Sequence, residues 1–599
     1  MLSPNNRSVY TDALVPPTGF QLDSGVATSF SMDLTTLLSV PLQLVMQSTE
    51  DYRQLLEDPV TLYDSLRRAT DRVRVFVQRG QIHAPSRDHR LYGLLEPMIR
   101  QTVAPRGGAF HPKLWLLRFK AEESDEIAYR LMVPSKNLTA DRAWDIAVTL
   151  EGVLGDRVLP INRDLTRLLK SLEGADEEDA DPAGAEVLGS ILSEIGRIVW
   201  EVPDGFDSVR FRVLGLDRQT WKPRSNENLA VISPFVRPDA LQALAESSDR
   251  PRFLISRASE LSALGTAPPF EAIYTLHEAA ETEETGDATE EPPEAGLHAK
   301  VYLYQVGKRT HLVLGSANAS DSALLLGRNV ELLVELEGLS RRVGRVEDLL
   351  DPDDGRGLGK LLVHWRSEEA EPVDEAERAN ERKLDAARKV LSASELELAC
   401  VADGDQWRMA LSSSEPIELE GIAEAVCWPV TIGQQHAVSM APLFSGGAVT
   451  LPGQSLSSLT ALVAFQLKAG GLRQAFVLRL PVTGMPEGRD RAILRYVVRD
   501  RKSFIRYLLL LLAGLGDSAD VGDVARNFDR WDHGHSGDLE DMPLLEELVR
   551  AFARDPKRLK RIREIVEDLT SDQGGEDVLP AGFLSLWQVF EEAMVADGH

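Results

Sequence analysis

Cysteine is almost absent: Cys400 and Cys427 are the only two in 599 residues. Two thiols this far apart supply neither a disulfide framework nor a Cys-x-x-Cys metal or redox motif, so a reducing cytoplasm is the expected compartment. Excess positive charge is absent as well, since 94 Asp and Glu against 66 Lys and Arg leave a net charge of −28. Such a chain has no global field to draw in nucleic acid or anionic lipid, and any polyanion must be held by a local basic cleft. Long apolar runs are missing too. The best, Tyr507 to Leu515, falls well short of the ~20 residues that cross a bilayer, and it reads as a buried helix. The opening Met1-Leu-Ser-Pro-Asn-Asn-Arg7 has no charged region followed by an apolar core, so no secretory signal is expected.

What is present is ordinary for a globular protein, with 43% hydrophobic and 27% charged residues. At one domain per roughly 100 to 200 residues, the length predicts three to five domains. Helical spacing over Asp33 to Gln47 and Leu91 to Thr102, with strand-like runs at Arg72–Gln78, His111–Phe119, Arg130–Pro134 and Asp145–Leu150, predicts an α/β unit. The order recurs downstream, with strands at Leu229–Val236, Arg252–Ser256, Glu271–Thr275, Leu297–Tyr304, His311–Leu314 and Val330–Leu336. Trp144–Gly152 and Val330–Gly338 match in pattern, keeping an acid, an acid and a glycine in step. The chain therefore contains an internal repeat of two domain-sized halves, offset by 187 residues at the histidines. The expected organisation is a first half over 1–160, an acidic linker and helix over 161–200, a second half over 201–350 and an acidic helical linker over 351–394. A β-rich domain over 395–488 and a helical domain over 489–599 follow. Acidic stretches at Glu173–Glu186, Glu278–Glu294 and Glu368–Glu381 account for part of the net charge.

Each half carries His-x-Lys on a predicted strand and Ser-x-Asn at the turn after the next one. These are His111, Lys113, Ser135 and Asn137, then His298, Lys300, Ser316 and Asn318. Side chains at i and i+2 of a strand face the same way, so each His and Lys points into one cleft, and the repeat brings both pairs there. The set suits phosphodiester cleavage. One imidazole attacks phosphorus while the other protonates the leaving oxygen and later activates water. Two lysines and two asparagines supply donors to the non-bridging oxygens, and neither metal nor cofactor is required. Asp145 and Glu331, at matched places, are positioned to accept an imidazole N–H, although which acid serves which histidine is open.

With these motifs the chain resembles the phospholipase D superfamily over roughly residues 30–350, through Phe110-His-Pro-Lys113 with Pro-Ser-Lys-Asn137 and Leu297-His-Ala-Lys300 with Gly-Ser-Ala-Asn-Ala-Ser320. The full family motif has an Asp five residues after the Lys, where this chain has Arg118 and Gln305. That departure, with Ser233-Pro-Phe235, resembles the tyrosyl-DNA phosphodiesterase and nuclease-like branches more than the lipid-cleaving ones. Pro134 stands where the second half has Gly315, which makes His298 the favoured nucleophile. The resemblance implies one catalytic core built from two pseudo-twofold halves and a nuclease acting on nucleic acid, DNA ahead of RNA. It also implies a role in bacterial defence or DNA processing, with any helicase or ATPase on another chain. The competing readings are a phosphatidyl-cleaving or -transferring enzyme, disfavoured by the acidic charge and lack of an anchor, and a non-catalytic nucleic-acid-binding subunit.

Other signals are weaker. His533-Gly-His535 has no Cys or further His near it and reads as a polar loop rather than a metal pair. The basic run Lys557–Arg563 reads as the solvated face of an amphipathic helix, and Gly355–Lys360 lacks the Ser or Thr of a phosphate loop. Trp115 and Tyr302 are expected in the core or cleft wall, and Arg106 is a candidate phosphate ligand or a solvated loop residue.

Overall fold

The computed structural model describes residues 12–45, 59–140, 143–177, 182–277, 296–350, 357–366 and 375–513, with short stretches between 545 and 596. Glu278–Glu294 and His533–His535 lie outside them. The class is α/β, as expected. The first half contributes β1 (Phe20–Ser29), β2 (Met32–Asp33), β3 (Val73–Gln78), β4 (Ile82–His83), β5 (Ile99–Thr102), β6 (Leu114–Ala121), β7 (Ile127–Pro134), β8 (Ala147–Leu154) and β9 (Ile198–Trp200). Its sheet runs β5-β3-β1-β6-β7-β8-β9. The second half contributes β10 (Ser208–Leu214), β11 (Asn226–Ile232), β12 (Ser248–Ile255), β13 (Ala272–Leu276), β14 (Val301–Val306), β15 (Arg309–Gly315) and β16 (Glu331–Leu339). With β17 (Leu362–His364), these form a sheet in the order β10-β16-β15-β14-β11-β12-β13-β17.

The repeat read from the motifs is thus a repeat of topology. In each sheet a central strand, β1 or β11, pairs in parallel with β3 or β12 on one side and antiparallel with β6 or β14 on the other. Strand alternation then stacks the halves. Val26, Phe76 and Leu116 face a core shared with Ala230, Ile232 and Leu303 of the second sheet. Their neighbours Ala27, Val75 and Trp115 face an outer core beneath helices, while Leu229, Val231 and Tyr302 face another on the far side.

Several local expectations give way to tertiary context. The stretch Leu91–Thr102 is not one helix but a 3-10 turn, Arg90–Leu95, followed by β5. Pro97 offers no N–H to continue a helix, and Ile99 pairs with Val75. β1 shows little strand signal, because Asp23, Ser24 and Gly25 interrupt its alternation and the register shifts between Leu22 and Ser24. It becomes a central strand because β3 and β6 cover both its edges. β17, inside the expected linker, pairs with β13 at the far edge of the second sheet.

Beyond Glu395 the chain forms β structure as expected, but one of its sheets also takes in β2 and β4 of the first half, with Ile82 opposite Val477. Helices Arg489–Val497 and Arg501–Ala513 pack on Pro59–Ala69 of the first half, with Tyr63 and Tyr507 edge to face at 5.5 Å and Arg67 3.2 Å from Asp490. Among the described residues no helix is long and apolar enough to cross a membrane.

Candidate active site

The halves meet through two reciprocal bridges, Phe110 with Val330 and Trp144 with Leu297. The N–H of His111 donates to the Val330 carbonyl at 2.9 Å, and that of His298 donates to the Trp144 carbonyl at 2.8 Å. This exchange draws both His-x-Lys segments out of their own sheets: they are extended, but lie just before β6 and β14 rather than on them. Each pair still shares a side. Lys113 Nζ is 3.0 Å from His111 Nε2, and Lys300 Nζ is 3.2 Å from His298 Nδ1.

The same exchange decides the acid partners, because it places the acid of one half beside the histidine of the other. His111 Nδ1–H donates to Glu331 Oε2 at 2.8 Å. Glu331 is further held by the Ser316 hydroxyl and by Asn329 Nδ2 at 3.2 Å. Asp145, one methylene shorter, accepts from the Ser135 hydroxyl instead, and His298 Nδ1–H donates to the Ser135 carbonyl at 2.9 Å. Pseudo-symmetry in the backbone therefore ends in asymmetry at the imidazoles.

Both asparagines sit on turns pinned alike. Ser29 and Ser233, at the ends of β1 and β11, donate to the carbonyls of Ser31 and Phe235 at 2.6 and 2.8 Å. They accept from the N–H of the residue after each asparagine, Leu138 at 3.0 Å and Ala319 at 2.9 Å. The motif reading did not include Ser29 or Asn329; aligning Ser29-Phe-Ser31 with Ser233-Pro-Phe235 is the signal that finds the first. The side-chain oxygens of Asn137 and Asn318 are shut off from water with no donor among the described residues. Such an acceptor costs about 1–3 kcal/mol.

Four basic side chains and two acids occupy this space, and Lys113, Lys300 and Glu331 are almost wholly buried. Burial is the main influence on Lys113, lowering its pKa to about 7 against the pull of Glu331 and Asp145. It lowers Lys300 and His298 strongly, and the neighbouring lysine charges push both the same way. His111 is lowered by burial, with Glu331 opposing, while His111 and Lys113 hold Glu331 below the usual carboxylate range despite its burial. Burial raises Asp145. Basic groups held this far below their ordinary pKa values favour an arriving anion, which restores their charge.

The remaining candidates lie elsewhere. Arg118 pairs with Glu194 at 2.9 Å and Asp23 at 2.6 Å, and Gln305 Oε1 accepts from the Val346 N–H at 3.3 Å, so both family-motif departures are structural. Arg106 donates to the carbonyls of Gly215, Leu216 and Gly327, tying the halves together instead of reaching toward a phosphate. Trp115 and Tyr302 are core. Among the described residues, no group of three or more His, Cys, Asp or Glu is placed to hold a metal ion.

No known protein family and no curated protein matches the sequence. Among solved structures the similarity is distant, as one example shows. That example is polyphosphate kinase from Porphyromonas gingivalis, at 12% identity and a TM-score of 0.28, over 63% of this chain and 50% of that one. The chain thus spans half the length of that structure, and the chemistry rests on the side chains of the cleft itself.

Proposed function

We propose that the protein is a phosphodiesterase acting on nucleic acid through two histidines, a nuclease of the phospholipase D-like kind. The observation that carries this reading is the paired constellation at the junction of the halves, with His111 oriented by Glu331. His111 Nε2 attacks phosphorus as the P–O bond to the leaving group breaks, and His298 Nε2 gives that oxygen its proton. Water then attacks phosphorus, losing a proton to His298 while the P–N bond breaks and frees His111.

Glu331 supports His111 as the nucleophile, ahead of the His298 favoured by motif completeness, because a carboxylate on Nδ1 stabilises the positive imidazole of a phosphohistidine. The Lys113 amine lies against the Nε2 lone pair, so a bound phosphate oxygen has to draw it away. The phosphate charge also raises the depressed pKa of His298, giving it the proton it must deliver. Lys113, Lys300, Asn137 and Asn318 bind the non-bridging oxygens, with Ser135 and Ser316 holding the acids. A role in defence or DNA processing, beside a motor on a separate chain, extends this proposal.

The test is cleavage of end-labelled single- and double-stranded DNA and RNA in excess EDTA. We expect cleavage by the wild type and losses of at least about 10³-fold in His111→Ala and His298→Ala. Turnover confined to phosphatidyl substrates, or nucleic-acid binding without turnover, would overturn the proposal.

A further inference from the structure

We propose that Arg257 and Phe235 form a subsite for the phosphate and base flanking the scissile bond on the His298 side, so that the substrate is a continuing polynucleotide strand. This inference rests on the phosphodiesterase reading above. Arg257 follows the end of β12, and its Nε–H donates to the carbonyl of Leu297, the residue before His298, at 2.9 Å. That bond fixes the guanidinium at the edge of the catalytic cluster, where its charge acts on both His298 and Lys300. Its terminal nitrogens have no partner among the described residues. The nearby acid Glu260 is engaged by Arg237 at 2.8 Å and so is already compensated. The guanidinium carbon lies 5.0 Å from the ring centre of Phe235, a residue that is 39% exposed.

A tethered guanidinium with free terminal donors matches the two oxygens of a phosphate, and an exposed aromatic face accepts any base by stacking. A scissile phosphate alone uses neither group. Both are engaged only by a ligand that carries a second phosphate and a base beyond the bond being cut.

Among its described residues the first half offers no such pair at the matched place. There the tether is the neutral Gln78, whose Oε1 accepts from the Phe110 N–H at 2.7 Å, and Phe30 packs against the His111 ring at 5.1 Å. The cleft therefore carries a tethered guanidinium beside an exposed ring on one side of its pseudo-twofold axis. A strand entering it has a preferred direction: the flanking nucleotide lies on the side of the proton donor, His298, and so belongs to the leaving group.

The test compares a single phosphodiester with an unactivated leaving group, the methyl ester of thymidine monophosphate, with short oligonucleotides carrying one further phosphate 5′ or 3′ of the scissile bond. In the wild type, one of the two polarities is expected to raise kcat/KM over the unflanked ester. Arg257→Ala is expected to cut that flanked-to-unflanked ratio about tenfold, with partial recovery in Arg257→Lys. Phe235→Ala is expected to cut it by a similar factor, about tenfold, with recovery in Phe235→Tyr. An unchanged ratio in Arg257→Ala overturns the subsite, even if both rates fall. Should the wild type turn over neither substrate, the phosphodiesterase reading fails separately. Fluorescence anisotropy with the same oligonucleotides then decides the subsite, which is overturned if wild type and Arg257→Ala bind the flanked strand equally.

Discussion

At the scale of single residues, one methylene separates the two imidazoles. Glu331 reaches across the junction to His111, whereas Asp145 stops at the Ser135 hydroxyl and leaves His298 with a backbone carbonyl. Glu331→Gln keeps the shape but removes the charge that favours the tautomer and the cationic imidazole. Its kcat is expected to fall by ~10²-fold or more, and Asp145→Asn by clearly less. Steady-state kinetics on one oligonucleotide compares them, and equal losses would place the acids in equivalent roles. The same cluster has a titration signature. Lys113, with a pKa near 7, is largely neutral at pH 8, burial lowers Lys300 in the same direction, and a bound anion raises both. Inorganic phosphate should therefore bind with proton uptake at pH 8, seen by calorimetry in buffers of different ionisation enthalpy. Proton release on binding would contradict the proposed charge state of the cleft. The motif residues were legible in the sequence. The acid pairing was not, because it depends on a crossing of chains 220 residues apart between His111 and Glu331.

At the scale of elements, the turns that carry the asparagines differ in tolerance. Gly315 has a φ of 149°, and a Cβ there would meet the Leu332 carbonyl oxygen at 2.2 Å. Pro134, its counterpart, sits at the end of a strand paired with Ala147, so the departure seen in the motif is accommodated by extended backbone. Gly315→Ala is expected to cost ~2–4 kcal/mol and to lower turnover by moving Asn318, whereas Pro134→Gly should leave the melting temperature nearly unchanged. Thermal melts and kinetics on the two variants check this. Strands with regular alternation, such as β3, β14 and β16, were readable in advance. β1 was not, since Gly25 and its polar neighbours carry little propensity and the strand is specified by its partners.

At the scale of the whole molecule, the C-terminal layers are joined to the two-sheet core. Glu96 of the first half, nearly buried, accepts from the Thr460 hydroxyl at 2.7 Å and the Ala461 N–H at 2.8 Å, and Arg489 lies 2.6 Å from its other oxygen. Three segments far apart in sequence thus converge on one carboxylate. Arg489→Ala leaves that charge without its counterion and is expected to destabilise by ~2–4 kcal/mol, read as a lower melting temperature. An unchanged melting temperature would mean that the joint carries no stability.

The sequence by itself determined the α/β class, the internal repeat and the paired His-x-Lys and Ser-x-Asn sets, because strand periodicity and motif spacing are local properties of a chain. Tertiary structure alone decided which acid orients which histidine, where β1 lies, and why one side of the cleft carries Arg257 and Phe235. Each of these depends on contacts between segments distant in sequence, made only when the two sheets stack and exchange their edges.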